Sequence, residues 1–149
     1  MPDLEWRSKL SVLVVDDGAD SRASMKTLLT LHGYQSHAAP SGPDALRMLE
    51  YQWPDVILLD LRMPGMDGYQ VAKHIRGRCG SQPRPLIIAV TGLAGDLGRV
   101  CSRLEGIDHH LLKPLDFAEL DGLIDQWRSV RHHSEPSIVP ADREPVPGS

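Results

Sequence analysis

An unbroken apolar run, Val56-Ile57-Leu58-Leu59, ends in Asp60 and is followed at once by the turn-rich stretch Leu61-Arg62-Met63-Pro64-Gly65-Met66-Asp67-Gly68. A short apolar run bounded by turn residues suits a strand buried on both faces, so the segment predicts a parallel strand that delivers the Asp60 carboxylate to the carboxyl edge of a sheet. In open α/β sheets, ligands and chemistry collect at that edge. A single aspartate at a strand end is more often a helix cap or a surface charge than a functional group. The other strands decide between these readings.

Four further segments share the build. Leu10 to Val15 runs into Asp16-Asp17, Leu86 to Val90 into Thr91-Gly92, and Leu111-Leu112 into Lys113-Pro114, while Tyr34 to Ala39 is a weaker strand with no ionisable group at its end. Helical patterns separate them. Ser21 to His32 carries Met25, Leu28 and Leu29; Asp44 to Tyr51 follows Ser41 as cap, with Pro43 in the first turn; Gly68 to Arg76 places Val71, Ala72 and Ile75 inward. The last helix, Phe117 to Val130, aligns Phe117, Leu120, Leu123, Ile124 and Trp127 in one stripe, with Asp116 as its cap. Strand alternating with helix predicts an α/β fold, a five-stranded parallel sheet with helices on both faces. Right-handed crossovers then bring the ends of strands one, three, four and five to one edge, with Asp16, Asp17, Asp60, Thr91 and Lys113.

With these residues in this order, the chain resembles, over about residues 9 to 130, the receiver domain of the bacterial two-component response regulators. An acidic pair follows the first strand, a phosphoacceptor-type aspartate with Met-Pro-Gly-Met-Asp-Gly the third, a hydroxyl residue the fourth, and Lys-Pro the fifth. The resemblance implies a flavodoxin-like (βα)5 three-layer sandwich with strand order 2-1-3-4-5. Residues 1–8 are then an N-terminal extension, 9–130 the receiver domain, and 131–149 a proline-rich, disordered tail with little apolar periodicity.

Three crowded carboxylates repel one another unless a cation sits between them. Hard oxygen ligands in a water-accessible cluster suit Mg2+, with Mn2+ able to substitute. As the resemblance implies, Asp17 and Asp60 are direct ligands, Asp16 holds a metal-bound water, and the backbone carbonyl of Arg62 is a further ligand. Asp60 is then the nucleophile that forms an aspartyl-phosphate, with the Lys113 ammonium neutralising charge and the Thr91 hydroxyl donating to a phosphoryl oxygen. The donor is a phosphohistidine on a histidine kinase or a histidine phosphotransfer protein. The chain catalyses only its own phosphorylation and dephosphorylation, and the switch pair is Thr91 and His110. Phosphorylation is read out on the surface of the fourth helix, fifth strand and fifth helix, through which a homodimer is also allowed.

Rival phosphate-site patterns are missing. No G-x-G-x-x-G follows the first strand, where Val15-Asp16-Asp17-Gly18 stands instead, and acidic residues there repel a pyrophosphate. No G-x-x-x-x-G-K-[ST] occurs, and Gly92, Gly95 and Gly98 read as a flexible loop. A haloacid-dehalogenase-like Mg-dependent phosphatase also has a strand-end aspartate, but its D-x-D-x-T is replaced here by Asp60-Leu61-Arg62. A receiver-like binding module that is never phosphorylated is disfavoured because all five site positions are filled.

At 149 residues one domain is expected. Sixteen basic against twenty acidic side chains give a net charge of −4, which lends no support to nucleic-acid binding. No membrane span or signal-peptide core stands out, so a cytoplasmic location is expected, with Cys79 and Cys101 as reduced thiols. His109 and His110, adjacent on a strand, point to opposite faces and do not share a metal. His110 lies three residues before Lys113, where the family places its aromatic switch residue, and an imidazole there is smaller, more polar and titratable. In the stretch after Val130 no globular output domain is expected. That fits either a stand-alone receiver or the receiver of a hybrid histidine kinase.

Overall fold

A computed structural model describes residues 4–92 and 106–134. A short 3-10 helix, Glu5–Lys9, precedes β1 (Ser11–Val15), α1 (Ala19–Leu31), β2 (Gln35–Ala39), α2 (Gly42–Met48), β3 (Val56–Asp60), α3 (Gly68–Gly77), β4 (Leu86–Thr91), β5 (His109–Leu112) and α4 (Phe117–Ser134). All strand pairings are parallel, in the order β2-β1-β3-β4-β5. The expected order therefore holds. The expected fourth helix, the glycine-rich segment beyond Gly92, Cys101 and the tail from residue 135 lie outside the described residues.

The chain divides into two compact units, one up to Leu115 and one from Asp116. In the first, β1, β3 and β4 are buried along their whole length, as strands covered on both faces must be. Leu13, Val15, Ile57, Leu59, Ile87 and Ala89 face a core completed by Ala45 and Leu46 of α2 and by Val71, Ala72 and Ile75 of α3. Moving from β1 to β2 runs opposite to moving from β3 to β4, so right-handed crossovers place α1 on the other face, where Met25 and Leu29 are its buried residues. The second unit is α4, with Leu120 and Ile124 fully buried and Phe117, Leu123 and Trp127 partly so.

Local chemistry sets the helix starts. The Ser41 hydroxyl accepts from the Asp44 N–H at 3.2 Å, with proline in the first turn of α2. At α3, Asp67 and Gln70 exchange side-chain-to-backbone bonds of 3.0 and 3.1 Å in a capping box. Asp116 Oδ1 accepts from the Ala118 N–H at 2.9 Å, as expected of the cap of α4. Most element ends fall within two residues of expectation, and two differ by three or more. Helix α2 ends at Met48 rather than Tyr51, where Glu50 and Tyr51 donate back three residues as turns ahead of Trp53-Pro54. Helix α4 runs on to Ser134, past the expected start of the disordered tail at Arg131, and the Arg131 guanidinium lies 4.9 Å from the Trp127 ring centroid.

The described part of the N-terminal extension, from residue 4 on, is also structured. The Trp6 ring meets Tyr34 edge-on at 5.9 Å, Arg7 Nη1 donates to the His32 carbonyl at 3.3 Å, and the Gln35 amide donates to the Ser8 carbonyl at 2.6 Å.

At the opposite edge of the sheet from the strand ends, Arg76 of α3 ties β4 and β5 together where they begin. Its Nε and Nη2 donate to the Gly106 carbonyl at 2.9 and 2.7 Å, Nη1 to the Pro85 carbonyl at 2.7 Å, and Nη2 to Asp108 Oδ2 at 2.8 Å. The same Asp108 oxygen accepts from the Ile87 N–H at 2.8 Å. Arg76→Ala strips several acceptors of their partner at once, and a loss of about 2–4 kcal/mol is expected from urea denaturation midpoints. A midpoint unchanged from wild type would show that the staple contributes nothing. The partner-matched Arg76→Lys retains charge but not the fork and recovers only part of the loss.

Candidate functional site

Four strand ends meet at the carboxyl edge. Asp16 follows β1 and is 1% exposed; Asp60 closes β3 and is 6% exposed; Thr91 closes β4 and is fully buried; Lys113 follows β5. The β4–β5 register pairs Thr91 with Leu112, and the Lys113 N–H donates to the Thr91 carbonyl at 2.8 Å, which fixes where the lysine leaves the sheet. From there Lys113 Nζ reaches Asp16 Oδ2 at 3.2 Å and Asp60 Oδ2 at 3.8 Å. Asp17, beside Asp16, is exposed. Side-chain oxygens of Asp16, Asp17 and Asp60 all lie within 4.8 Å of one another.

The two buried aspartates sit in different surroundings. Asp16 Oδ1 accepts from the Gly18 N–H at 2.8 Å, and Oδ2 accepts from the Ser21 hydroxyl at 2.6 Å and from Lys113. Burial acts to raise its proton affinity, but these donors outweigh it, and the carboxyl is held below its ordinary value. Among the described residues, Asp60 Oδ1 accepts one backbone bond that opposes its burial, from the Arg62 N–H at 3.1 Å. Burial, with the charges of Asp16 and Asp17 adding to it, pushes the Asp60 carboxyl up to about 6 despite Arg62 and Lys113. Its charge is the one left under-compensated.

That imbalance is what a divalent cation corrects. The donor set is three carboxylates at hard-oxygen spacing, one of them water-exposed, and it fits Mg2+, which prefers oxygen ligands and retains waters. Among the described residues this is the one grouping of three such side chains that meets the spacing.

All five strand-end residues expected from sequence are thus brought to one edge. Arg62 is exposed at the mouth of the site, its N–H spent on Asp60. His110 lies on β5 and is half-buried, paired in register with Ala89, and the alternation of the strand sends it and His109 to opposite faces as expected. Two residues that sequence reading did not name as site residues also shape the site. Ser21, the third residue of α1, holds Asp16. Gly68 opens α3 against β3: its N–H donates to the Leu61 carbonyl at 3.1 Å, and a Cβ there would lie 2.5 Å from the Asp60 carbonyl oxygen. Only glycine allows that approach.

Comparison with known proteins agrees with this geometry. Residues 12–125 match the family model of the response regulator receiver domain. The chain is 35% identical over 122 residues to a probable transcriptional regulator ycf27 of Guillardia theta, covering 82% of this chain and 46% of that protein. It spans about half the length of this and other curated relatives it matches. The structure is similar to that of response regulator TrrA from Thermotoga maritima in complex with Mg2+-BeF, with a TM-score of 0.69, 29% identity, and coverage of 78% of this chain and 97% of that one. It is also similar, with a TM-score of 0.69 and 25% identity over 79% of this chain and 88% of that one, to a chain of the Saccharomyces cerevisiae complex of the phosphotransfer protein Ypd1 with the receiver domain of Ssk1. Five parallel strands in this order, carboxylates and a lysine at their ends, and a family match over most of the length converge: the chain belongs to the response regulator receiver domain family, and it is a phosphoacceptor domain of two-component signalling rather than a metabolic enzyme.

Proposed function

We propose that Asp60 is the phosphoacceptor, that Asp17, Asp60 and the backbone carbonyl of Arg62 would hold Mg2+ directly, and that Asp16 would hold it through a water. The single observation carrying this reading is the buried Asp60 carboxylate, under-compensated and flanked by Asp16, Asp17 and Lys113. Above about pH 6 that carboxylate is ionised and nucleophilic. One of its oxygens attacks phosphorus of a phosphohistidine; the new O–P bond forms as the N–P bond breaks, and the donor imidazole keeps the bonding pair. Bound Mg2+ supplies charge neutralisation for the phosphoryl oxygens. Lys113, already 3.8 Å from Asp60 Oδ2, supplies a second positive charge, and Thr91 donates its hydroxyl to a phosphoryl oxygen. Mn2+, also an oxygen-seeking ion, serves in place of Mg2+.

The donor is a histidine kinase or a histidine phosphotransfer protein. A groove of about 260 Å³ opens beside Lys113, lined by Ser24, Met25 and Leu28 of α1 and by Pro114 and Leu115, and its largely apolar walls suit a partner helix that carries the phosphohistidine. The switch consists of Thr91 and His110: phosphorylation draws Thr91 toward the phosphoryl oxygens, and the His110 ring takes the space released.

Amide chemical shifts recorded with Mg2+, before and after adding beryllofluoride as a phosphoryl mimic, test the reading. Shifts are expected at Asp60, Arg62, Thr91 and Lys113 and onward through Gly92 and along β5 to His110. Shifts confined to residues touching Asp60 would overturn the switch, and no shifts at all would overturn the phosphoryl site.

A further inference from the structure

Asp16 is held from every side by groups of its own chain. Its main-chain N–H donates to the Ala39 carbonyl at 3.2 Å, and its carbonyl accepts from Arg22 Nη1 at 2.9 Å. Its carboxylate takes the Gly18 N–H on Oδ1 and, on Oδ2, both Lys113 Nζ and the Ser21 hydroxyl. The bond from Ser21 is the shortest of these, at 2.6 Å. Ser21 sits in the first turn of α1, where a serine hydroxyl ordinarily bonds back to local backbone. Here it is spent on a carboxylate 5 residues upstream instead.

That bond has two consequences for the cation site. It fixes the orientation of Asp16, which is one of the three carboxylates whose oxygens converge within 4.8 Å. It also shares the charge of Oδ2 with Lys113, so the lysine is not the sole partner of Asp16 and stays within reach of Asp60. Losing a group that holds a ligand in place from behind typically costs a metal site about tenfold to a hundredfold in affinity.

We propose that Ser21 is a positioning residue for the Mg2+ site: its hydroxyl locks the Asp16 carboxylate in the orientation that receives the cation's water shell and keeps Lys113 shared between Asp16 and Asp60. This rests on the reading that Asp16, Asp17 and Asp60 form the Mg2+ site. Substitution with alanine, a better helix former, leaves α1 intact and removes only the hydroxyl.

The test is Mg2+ binding to the full chain by titration calorimetry with no phosphoryl donor present. Ser21→Ala is expected to weaken binding about tenfold, the lower end of what losing such a supporting group costs. Ser21→Thr, which keeps the hydroxyl, is expected to stay within about twofold of wild type, and on an Asp16→Asn background Ser21→Ala is expected to change nothing further. Equal affinities for wild type and Ser21→Ala would overturn the role of Ser21 while leaving the Mg2+ site standing. So would equal losses in the alanine and threonine variants, or an undiminished loss on the Asp16→Asn background. Wild-type protein that binds no Mg2+ would overturn the metal site and this inference together.

Discussion

Asp60→Asn is expected to take up no phosphoryl group from acetyl phosphate under conditions in which wild-type protein gains one, and wild-type protein is expected to gain none once a chelator removes Mg2+. Both outcomes follow from the same geometry. An amide keeps the shape of the side chain and can still meet the Arg62 N–H that Asp60 Oδ1 now accepts at 3.1 Å, but it has no nucleophilic oxygen. Without the cation, the incoming phosphoryl oxygens face Asp16 and Asp17 with the Lys113 ammonium as the nearest described offset to Asp60, and charge neutralisation is most of what phosphoryl transfer demands of a protein. Intact-mass spectrometry reads the result directly. Undiminished labelling of Asp60→Asn would assign the nucleophile elsewhere, and labelling that survives the chelator would remove the metal from the reaction.

The second large effect is on stability without metal. Asp60 has a folded-state value near 6 against the ordinary 3.8 of an exposed aspartate, so between these the folded protein holds a proton that the unfolded chain has released. A raised carboxyl value contributes stability at low pH that is lost as pH climbs from about 4 through about 6. At about 1.4 kcal/mol per pH unit of displacement, the loss is on the order of 3 kcal/mol. Asp16 acts in the opposite sense: its lowered value contributes stability above about 4 and loses it only as pH falls further, so the two windows are separate. In the presence of a chelator, urea midpoints of wild-type protein are therefore expected to fall between pH 4.5 and pH 6.5. Those of Asp60→Asn are expected to stay level and to exceed wild type at pH 7.5, because the buried charge and its repulsion from Asp16 and Asp17 are gone. A wild-type midpoint that rises over the same interval would contradict the placement of Asp60 in a desolvated, acidic surrounding.

Much of this site was legible in the sequence because strand ends are legible. Val56 to Leu59 and Leu86 to Val90 are unbroken apolar runs, and wherever such a run stops, the next residue is at the sheet edge, so Asp16, Asp60, Thr91 and Lys113 could be placed from local pattern alone. Long-range partners were not legible. Arg76 contacts Gly106 and Asp108 some thirty positions away, and nothing in the spacing of Lys73, His74 and Arg76 distinguishes the one that staples two strands from those that meet solvent. Ser21 carried only a faint signal, one helical turn beyond an acidic pair, because helix geometry decides whether its hydroxyl turns back toward Asp16. The length of α4 was underestimated for a related reason. Arg131, His132 and His133 look like the start of a polar tail, yet Arg131 finds the Trp127 ring four positions earlier, a contact that exists only once the helix has formed.

The most direct measurement of the central claim is chemical trapping of the modified residue. An acyl phosphate on an aspartate is an activated carboxyl group, and borohydride reduction converts that side chain to the alcohol of homoserine while leaving ordinary carboxylates untouched. Protein treated with acetyl phosphate and Mg2+, reduced, digested and sequenced by tandem mass spectrometry is expected to carry homoserine at position 60, and at neither 16 nor 17. Homoserine at Asp17, or a phosphoryl group recovered on one of the histidines with position 60 unchanged, would contradict it.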